Sequence, residues 1–518
     1  MNLERIKKKL FNGFKLSGFN IRKEFCELII EKCIEEHIDL TDTEIFDGCI
    51  KDICQSLERQ NIHDRSIELE HIKQAIEVCL HSGHDKHETV FKVIGAFEFP
   101  RLRYDPERKR YMVSSKKSTF LSDANSKAQL FLERYESILQ RTRRNFKNKL
   151  TTEANRIQLQ TVDYLLTLSE HTLDKTVILG SLLQVSEGKY YLEDPTGIVH
   201  LDLTHAKFHG GLFVENCFVL VNGYYEDKKL MVSTIILPPG EEYNDSKLSF
   251  SNINYFGGDS STPLRQSQAL KDYLNRNPMN MLLLFSDVWL DHPNVFEKLE
   301  MLFNGMEANP PSAFIFMGNF MSESHGSEYI EVLSKLFKQF ASLVNQFPNI
   351  LNNSKFVFVP GMMDPCTPHI VPRISLPSII SSQFTKVVPN AIFTTNPCRI
   401  QYCTREIVLF RADVLAKLMQ ATIHKPQKDE LSDCVTRTVI SQGHLSPMSL
   451  NALTVHWDFD YTLNLYPLPN LIVIGDKSES YQGEYKGCKV VNPGSFCEGG
   501  FQFKCYTPYT EQLDDCVL

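Results

Sequence analysis

The chain is 518 residues long, with 23% charged and 42% hydrophobic residues and a formal net charge of −8. That length predicts three or four domains of about 100–200 residues each, and the composition is that of a globular protein. The acidic balance excludes a general nucleic-acid binder, and no apolar run approaches the roughly 20 residues that span a bilayer.

The first residues, MNLERIKKKLFNGF, form a charged amphipathic helix without an apolar h-region, so no secretory signal is expected. Residues 1–83 read as a helical module. Phe25, Leu28, Ile29 and Cys33 fall on one helix face. Thr41-Asp42-Thr43-Glu44 is a capping box before a second stripe of Phe46, Cys49, Ile50 and Ile53. Leu69, Ile72, Ile76, Cys79 and Leu80 make a third. With no Gly-rich phosphate loop, this module is expected to dock rather than to catalyse.

Residues 84–160 read as a connector. Val90 to Phe97 is apolar and breaks at Pro100, Tyr104 to Arg108 is a turn, Lys116 to Asn125 a loop, and Lys127 to Arg144 a helix. Between Arg101 and Leu150, fourteen Lys/Arg stand against five Asp/Glu, so this segment is +9 and the remainder −17. Arg141, Arg143 and Arg144 crowd the helix end, where they complement its dipole. They are candidates for contact with DNA or an acidic partner. The plainer expectation is a solvated face, or contact with the chain's own acidic surface.

The period changes to two over residues 161–245. Val177 to Gly180, Lys189 to Asp194, Ile198 to Leu203, Phe218 to Tyr225 and Lys229 to Ile236 predict a small β-barrel. The phrase Leu192 to Gly197 (LEDPTG) resembles the second hairpin of an OB-fold. Such barrels can stack bases on aromatics, here Tyr190, Tyr191, Phe208, Tyr224 and Tyr225. Their neighbours Glu193, Asp194, Asp202, Glu226 and Asp227 have the wrong sign for a phosphate track. Residues 246–280 read as a polar linker with its flexible part at Gly257 to Pro263.

Residues 281–518 read as an α/β domain. Short apolar runs at Met281–Phe285, Ala313–Met317, Phe356–Val359 and Leu471–Ile474 predict strands buried on both faces, each ending in a Gly or Asp turn. Ligands in such folds sit at those carboxyl ends. An amphipathic helix between Glu328 and Phe347 predicts a right-handed crossover and parallel strands. Thr394 to Ile400 is expected to be a turn, and Glu511 to Leu518 a loose acidic end. The fourteen cysteines include no C-x-x-C pair, and Cys33, Cys79 and Cys217 lie in apolar patterns, which predicts reduced thiols of a cytosolic or nuclear protein. Cys398 and Cys403 are expected to be structural rather than metal ligands.

The order of turns resembles the calcineurin-like phosphoesterases, with their ligands missing. Asp287-Val288-Trp289 has Trp where the family has a His. Gly318-Asn319-Phe320-Met321-Ser322 lacks both aspartates. Gly361-Met362-Met363-Asp364 has Met in place of Asn and of His. His444, in SQGHLSP, is the one surviving histidine, and Gly475-Asp476-Lys477-Ser478 has lost both of its own. The family's closing Asn-Pro-Gly-Ser remains at Asn492 to Ser495. Trp and Met do not hold a hard divalent cation against water. The resemblance therefore implies a frame without catalytic residues, metal or cofactor, in which Asp287, Trp289, Asn319, Asp364, His444 and Asp476 are vestigial positions.

The order of helical module, OB barrel and inactivated phosphoesterase-like domain resembles the B-subunit family of replicative DNA polymerases, and its epsilon branch in particular. Phe256-Gly257-Gly258, Leu284 to Asp291, Phe356 to Gly361 with Asp364-Pro365, Phe393 to Tyr402, Ile440 to Pro447, Asn492 to Phe496, Lys92 to Phe97 and the helical module carry that resemblance. It implies a nuclear, non-catalytic subunit. The barrel and phosphoesterase-like domain would grip the C-terminal domain of the polymerase's catalytic subunit, alongside small accessory subunits. Residues 1–83 would dock on the replicative helicase through GINS, and DNA would be met only indirectly. Two alternatives remain: a single-stranded-DNA-binding OB protein, and an active metallophosphoesterase with Asp287, Asn319, Asp364, His444 and Asp476 around an ion.

Overall fold

The computed structural model describes residues 3–16, 19, 21–35, 46, 50, 53–54, 57, 69–80, 90–149, 159–167, 173–250, 253–258, 263–323, 326–365 and 368–518. The chain divides into two compact units, Met1–Thr89 and Val90–Leu518. In the first, helices Leu3–Leu16, Lys23–Glu35 and Leu69–Leu80 enclose Leu10, Phe14, Phe25, Ile29, Cys33, Phe46, Ile50, Ile53 and Ile72. The capping box at Thr41 to Glu44 and Cys49 lie outside the described residues, as do the side chains of Cys79 and Leu80. No described helix is long and apolar enough to cross a membrane.

The second unit holds two packed sheets and a barrel. One sheet has the order Ala391–Phe393, Lys355–Val359, Ala313–Met317, Leu282–Ser286, Gln502–Thr507, Gln512–Val517. Its first four strands run parallel, as the intervening helix Tyr329–Val344 requires. The other has the order Phe91–Gly95, Cys398–Tyr402, Arg405–Arg411, Leu471–Gly475, Cys488–Asn492, Tyr481–Tyr485. Strand alternation sorts the side chains into layers. Leu283, Phe285, Phe314, Phe316, Phe356 and Phe358 point at the helices. Leu282, Leu284, Ala313, Ile315, Met317, Val357 and Val359 point at the opposite sheet, against Ile407, Leu409, Leu471 and Val473. Aromatics thus fill the deeper sheet–helix space, and aliphatics the sheet–sheet space. Ile315 is fully buried in that aliphatic layer. Ile315→Val should destabilise the full chain by about 0.5–1.5 kcal/mol in urea denaturation, the cost of one unreplaced methylene.

The barrel closes through Leu173–Ser186, Lys189–Asp194, Gly197–Asp202, Lys229–Ile236 and Phe218–Glu226, which pairs back to the first strand. It is a five-stranded OB barrel, as its sequence pattern predicts. Gly223 is required at its tightest crossing, where a Cβ would lie 2.1 Å from the Met231 carbonyl oxygen. The barrel interior shares one hydrophobic cluster with Val408, Phe410, Ile472 and Ile474 on the outer face of the second sheet.

Several sequence expectations are corrected here. The connector, residues 84–160, is woven into the second unit where it is described. Phe91–Gly95 is an edge strand antiparallel to Cys398–Tyr402. Helix Ala124–Lys149 places Tyr135 and Ile138 against Leu179, Phe218 and Leu220 of the barrel. Residues 246–280, expected as a polar linker, bury Lys247, Phe250, Tyr255 and Phe256, and helix Gln268–Arg276 buries Leu270 and Leu274. The buried apolar residues in this stretch are few but mostly large, while Leu248 and Met279 stay exposed. In the expected flexible part, residues 259–262 lie outside the described ones. Cys398 to Ile400 are already strand rather than turn. The acidic end pairs as the strand Gln512–Val517, because Leu513 and Cys516 stand opposite Tyr506 and Phe503.

Candidate functional site

Strand Leu282–Ser286 ends at Asp287, whose φ of +53° turns the chain back over the sheet edge. The Asp287 Oδ1 accepts the Asn319 N–H at 2.9 Å and an Arg411 Nη2–H at 2.8 Å. Asn319 follows a cis peptide after Gly318, and its Oδ1 accepts the Met363 N–H at 2.9 Å. The Asp364 carboxylate accepts the Phe320 N–H at 2.9 Å and the Gly361 N–H at 2.7 Å. The turns interlock so closely that a Cβ on Gly318 would lie 2.1 Å from Asp364 Oδ2, and one on Gly361 2.3 Å from Asn319 Oδ1. Burial pushes the Asp364 carboxyl up to about 6, against the two N–H donors that favour its anion.

Asp476 lies at the neighbouring strand end. Its Oδ2 accepts the Leu415 N–H at 2.7 Å, in the first turn of helix Val414–Ala421, and its Oδ1 accepts the Ser478 N–H at 2.9 Å. Here a carboxylate serves a helix N-terminus. Trp289 is half-buried, and its indole N–H has no hydrogen-bond partner among the described residues. His444 belongs to a different cluster. Its Nδ1 accepts the Ser446 N–H at 3.0 Å, so its proton is on Nε2, 3.4 Å from Asp460 Oδ1. Asp287, Asn319 and Asp364 are thus brought together, Asp476 lies beside them, and His444 does not share their bonds.

The residue that sequence reasoning missed is Arg411. It ends strand Arg405–Arg411 and is 2% exposed. Its guanidinium donates to Asp287 Oδ1, to Asp413 Oδ1 at 3.0 Å, to the Gly475 carbonyl at 3.0 Å, and to the Gly318 carbonyl. Burial disfavours its charge, but the Asp287 and Asp413 carboxylates outweigh burial and raise its pKa. A signal was available, since REIVLFR ends an apolar run in a charge as LLLFSD does.

A phosphoesterase centre would need several oxygen and imidazole ligands converging on open space. Here the carboxylates point at backbone N–H groups and a guanidinium. Among the described residues, no group of three or more His, Cys, Asp or Glu is arranged to hold a metal ion. The donor set does not fit a divalent pair.

Four arginines of the basic segment bond within the chain itself, the contact with its own surface that the charge count left open, while Arg103, Arg108, Lys109, Arg110 and Lys127 stay exposed. Arg141 is 2% exposed, donates to the Ser441 carbonyl at 3.1 Å and lies over the Tyr466 ring. Arg144 forms a bidentate pair with Glu241, both bonds at 2.9 Å. Arg134 pairs with Asp460, and Arg101 with Glu133. Only Arg143 of the three candidates is exposed. Apart from Glu133, the acidic partners lie elsewhere in the same chain, which is why a local count of charge misleads. Two of the barrel aromatics are occupied, since Tyr225 is core and Phe208 stacks on His424 with centroids 5.2 Å apart, while Tyr224 is exposed.

Known proteins match the whole of this architecture. A family model for the B-subunits of DNA polymerases alpha and epsilon matches residues 282–483. The DNA polymerase epsilon subunit 2-like OB-fold domain matches 124–239, and the DNA polymerases epsilon N terminal family matches 2–79. DNA polymerase epsilon subunit 2 of Mus musculus is 37% identical over 99% of both chains, and that of Homo sapiens 36% over 99% of both. The chain belongs to the DNA polymerase epsilon subunit 2 family. The Drosophila melanogaster DNA polymerase epsilon subunit 2 is similar at 35% identity, over 100% of this chain and 99% of its own. An archaeal phosphodiesterase of known structure covers 46% of this chain and 99% of its own at 14% identity, with a TM-score of 0.27, too low to carry an argument. The OB-fold match begins at residue 124, so in this polymerase epsilon subunit 2 family the helix Ala124–Lys149 goes with the barrel it packs on.

Proposed function

We propose that this chain is a non-catalytic accessory subunit of DNA polymerase epsilon, acting in nuclear DNA replication. The barrel and the phosphoesterase-like domain scaffold the C-terminal domain of the catalytic subunit. Residues 1–83 are a separate docking domain for the replicative helicase, reached through GINS. Family membership supports the polymerase partner. The observation that carries the non-catalytic reading is the strand-end centre, where Asp287 and Asp364 are held by backbone N–H groups and Arg411 instead of facing a substrate. The division at Thr89 supports two independent docking bodies. Two docking bodies on one chain raise the local concentration of polymerase at the helicase to around the millimolar range without new chemistry.

The test is co-purification of the full chain, and of the chain lacking residues 1–83, with the catalytic subunit's C-terminal domain and with GINS. The full chain is expected to retain both, and the truncated chain only the catalytic subunit. Loss of the catalytic subunit from the truncated chain, or retention of GINS by it, sinks the two-body arrangement. Manganese-dependent cleavage of a phosphodiester by the full chain, abolished by Asp287→Ala, sinks the non-catalytic reading.

A further inference from the structure

We propose that Arg411 is the resident cation of the strand-end centre, occupying the position for which a calcineurin-like frame is built to hold divalent ions. The inference rests on the non-catalytic reading above and adds what replaces the metal. Arg411 pairs in register with Gly475, at the carboxyl edge of one sheet. Its guanidinium reaches Asp287, at the carboxyl edge of the other sheet, 2.8 Å away. Its four acceptors are Asp287 Oδ1, Asp413 Oδ1 and the carbonyls of Gly318 and Gly475. All are oxygens and two are anionic, which is the ligand type that a hard divalent cation selects. The spacing is that of a planar fork of N–H donors rather than of metal–oxygen bonds of about 2.0–2.1 Å.

The space is also filled. A Cβ on Gly475 would lie 2.9 Å from Arg411 Cδ and 2.7 Å from Ser286 Oγ. The arginine stem thus occupies the cleft between the strand ends, and its fork ties together turns that a metal would otherwise bridge. Two carboxylates, Asp287 and Asp413, converge on this one charge. Without it the buried Asp287 would lose its counter-charge, while Asp413 keeps partial access to solvent. The consequence is a frame whose integrity is independent of divalent ions.

The experiment uses the full chain, stripped of metal with EDTA, and manganese chloride as the probe. Wild type, Arg411→Ala, Arg411→Lys, Asp287→Asn and the double variant Arg411→Ala/Asp287→Asn are compared by thermal unfolding and by electron paramagnetic resonance of bound manganese. Wild type is expected to show the same unfolding midpoint with and without manganese, and no bound ion that depends on Asp287. Arg411→Ala is expected to unfold roughly 5–10 °C lower. Manganese should not restore that loss in Arg411→Ala or in the double variant. Arg411→Lys, which keeps the charge but not the fork, should fall below wild type.

An unchanged midpoint in Arg411→Ala overturns the proposal, as does a wild-type midpoint that manganese raises. Should Arg411→Ala not fold, the wild-type titration decides. Manganese bound by wild type and lost in Asp287→Asn overturns the proposal; no such binding, together with a lowered midpoint in Arg411→Lys, upholds it. If wild type binds manganese and also cleaves bis(p-nitrophenyl) phosphate, the non-catalytic reading fails too. If it does neither and Arg411→Ala is neutral, only this inference fails.

Discussion

Glu406→Gln is expected to destabilise the full chain by about 3–5 kcal/mol at pH 7, because it leaves a buried cation without its counter-charge. Glu406 and Lys247 are each 1% exposed and pair at 2.7 Å. The second oxygen of Glu406 accepts the Tyr255 O–H at 2.6 Å, and the ammonium lies 3.4 Å from the Tyr243 ring centroid. These contacts fasten residues 243–255 to strand Arg405–Arg411. The double variant Lys247→Met/Glu406→Gln removes both charges and should recover most of the loss, short of about 1–3 kcal/mol for the weakened Tyr255 bond.

The deficit of Glu406→Gln should also depend on pH. Burial lowers the pKa of Lys247 and Glu406 opposes it, so removing the carboxylate lowers it further. A lysine whose folded pKa lies below its unfolded value of about 10.4 gives stability that rises with pH between the two. The variant should therefore lose less at pH 9 than at pH 7. Urea denaturation at both values checks this. A loss under about 1 kcal/mol at pH 7 would show that the buried pair does not hold this segment.

The second large effect is expected at Asp460→Asn, again about 3–5 kcal/mol at neutral pH. Asp460 accepts Arg134 Nε–H at 2.9 Å and a second bond from the same guanidinium, and lies against His444. Arg134 belongs to helix Ala124–Lys149, so this pair anchors that helix to residues 457–463. Burial alone would raise the Asp460 carboxyl, but Arg134 and His444 outweigh it and hold it well below the usual carboxylate range.

An acid with a depressed folded pKa contributes stability that is present above its unfolded value of about 3.9 and is lost as pH falls through the folded one. The difference between wild type and Asp460→Asn should therefore persist from pH 7 to 5 and shrink below about 4. Guanidinium denaturation at pH 7, 5 and 3 measures it. A difference that stays constant down to pH 3 would mean that the carboxylate's charge is not what holds Arg134. His444 is coupled to this pair, since Asp460 favours its charged form. Burial, then Arg134, lowers its pKa, so wild type should also weaken as pH falls below about 6.5.

Much of the fold was legible because periodicity reports burial locally. The run Met281–Phe285 reads as a strand buried on both faces, and its side chains do divide between a helix layer and a sheet layer. The LEDPTG phrase and the alternating strands around it marked the barrel. The weak places were those where a few large residues decide the outcome. Phe250, Tyr255 and Phe256 sit in a sequence that reads as polar, yet their pockets make it part of the core. The acidic end is a strand because of what Leu513 and Cys516 meet across the ladder.

Residue identity and short-range spacing were enough for most of the element types and for the family. Where the charges go was settled only by the folded chain. Arg411 meets Asp287 across 124 positions, Arg134 meets Asp460 across 326, and Lys247 meets Glu406 across 159. No local pattern carries such distances, because a charge buried in low dielectric is fixed by whichever opposite charge the fold brings within about 4 Å. That is why Arg134 and Arg141 of a +9 segment turned inward on their own chain, and why Asp287 is met by a guanidinium.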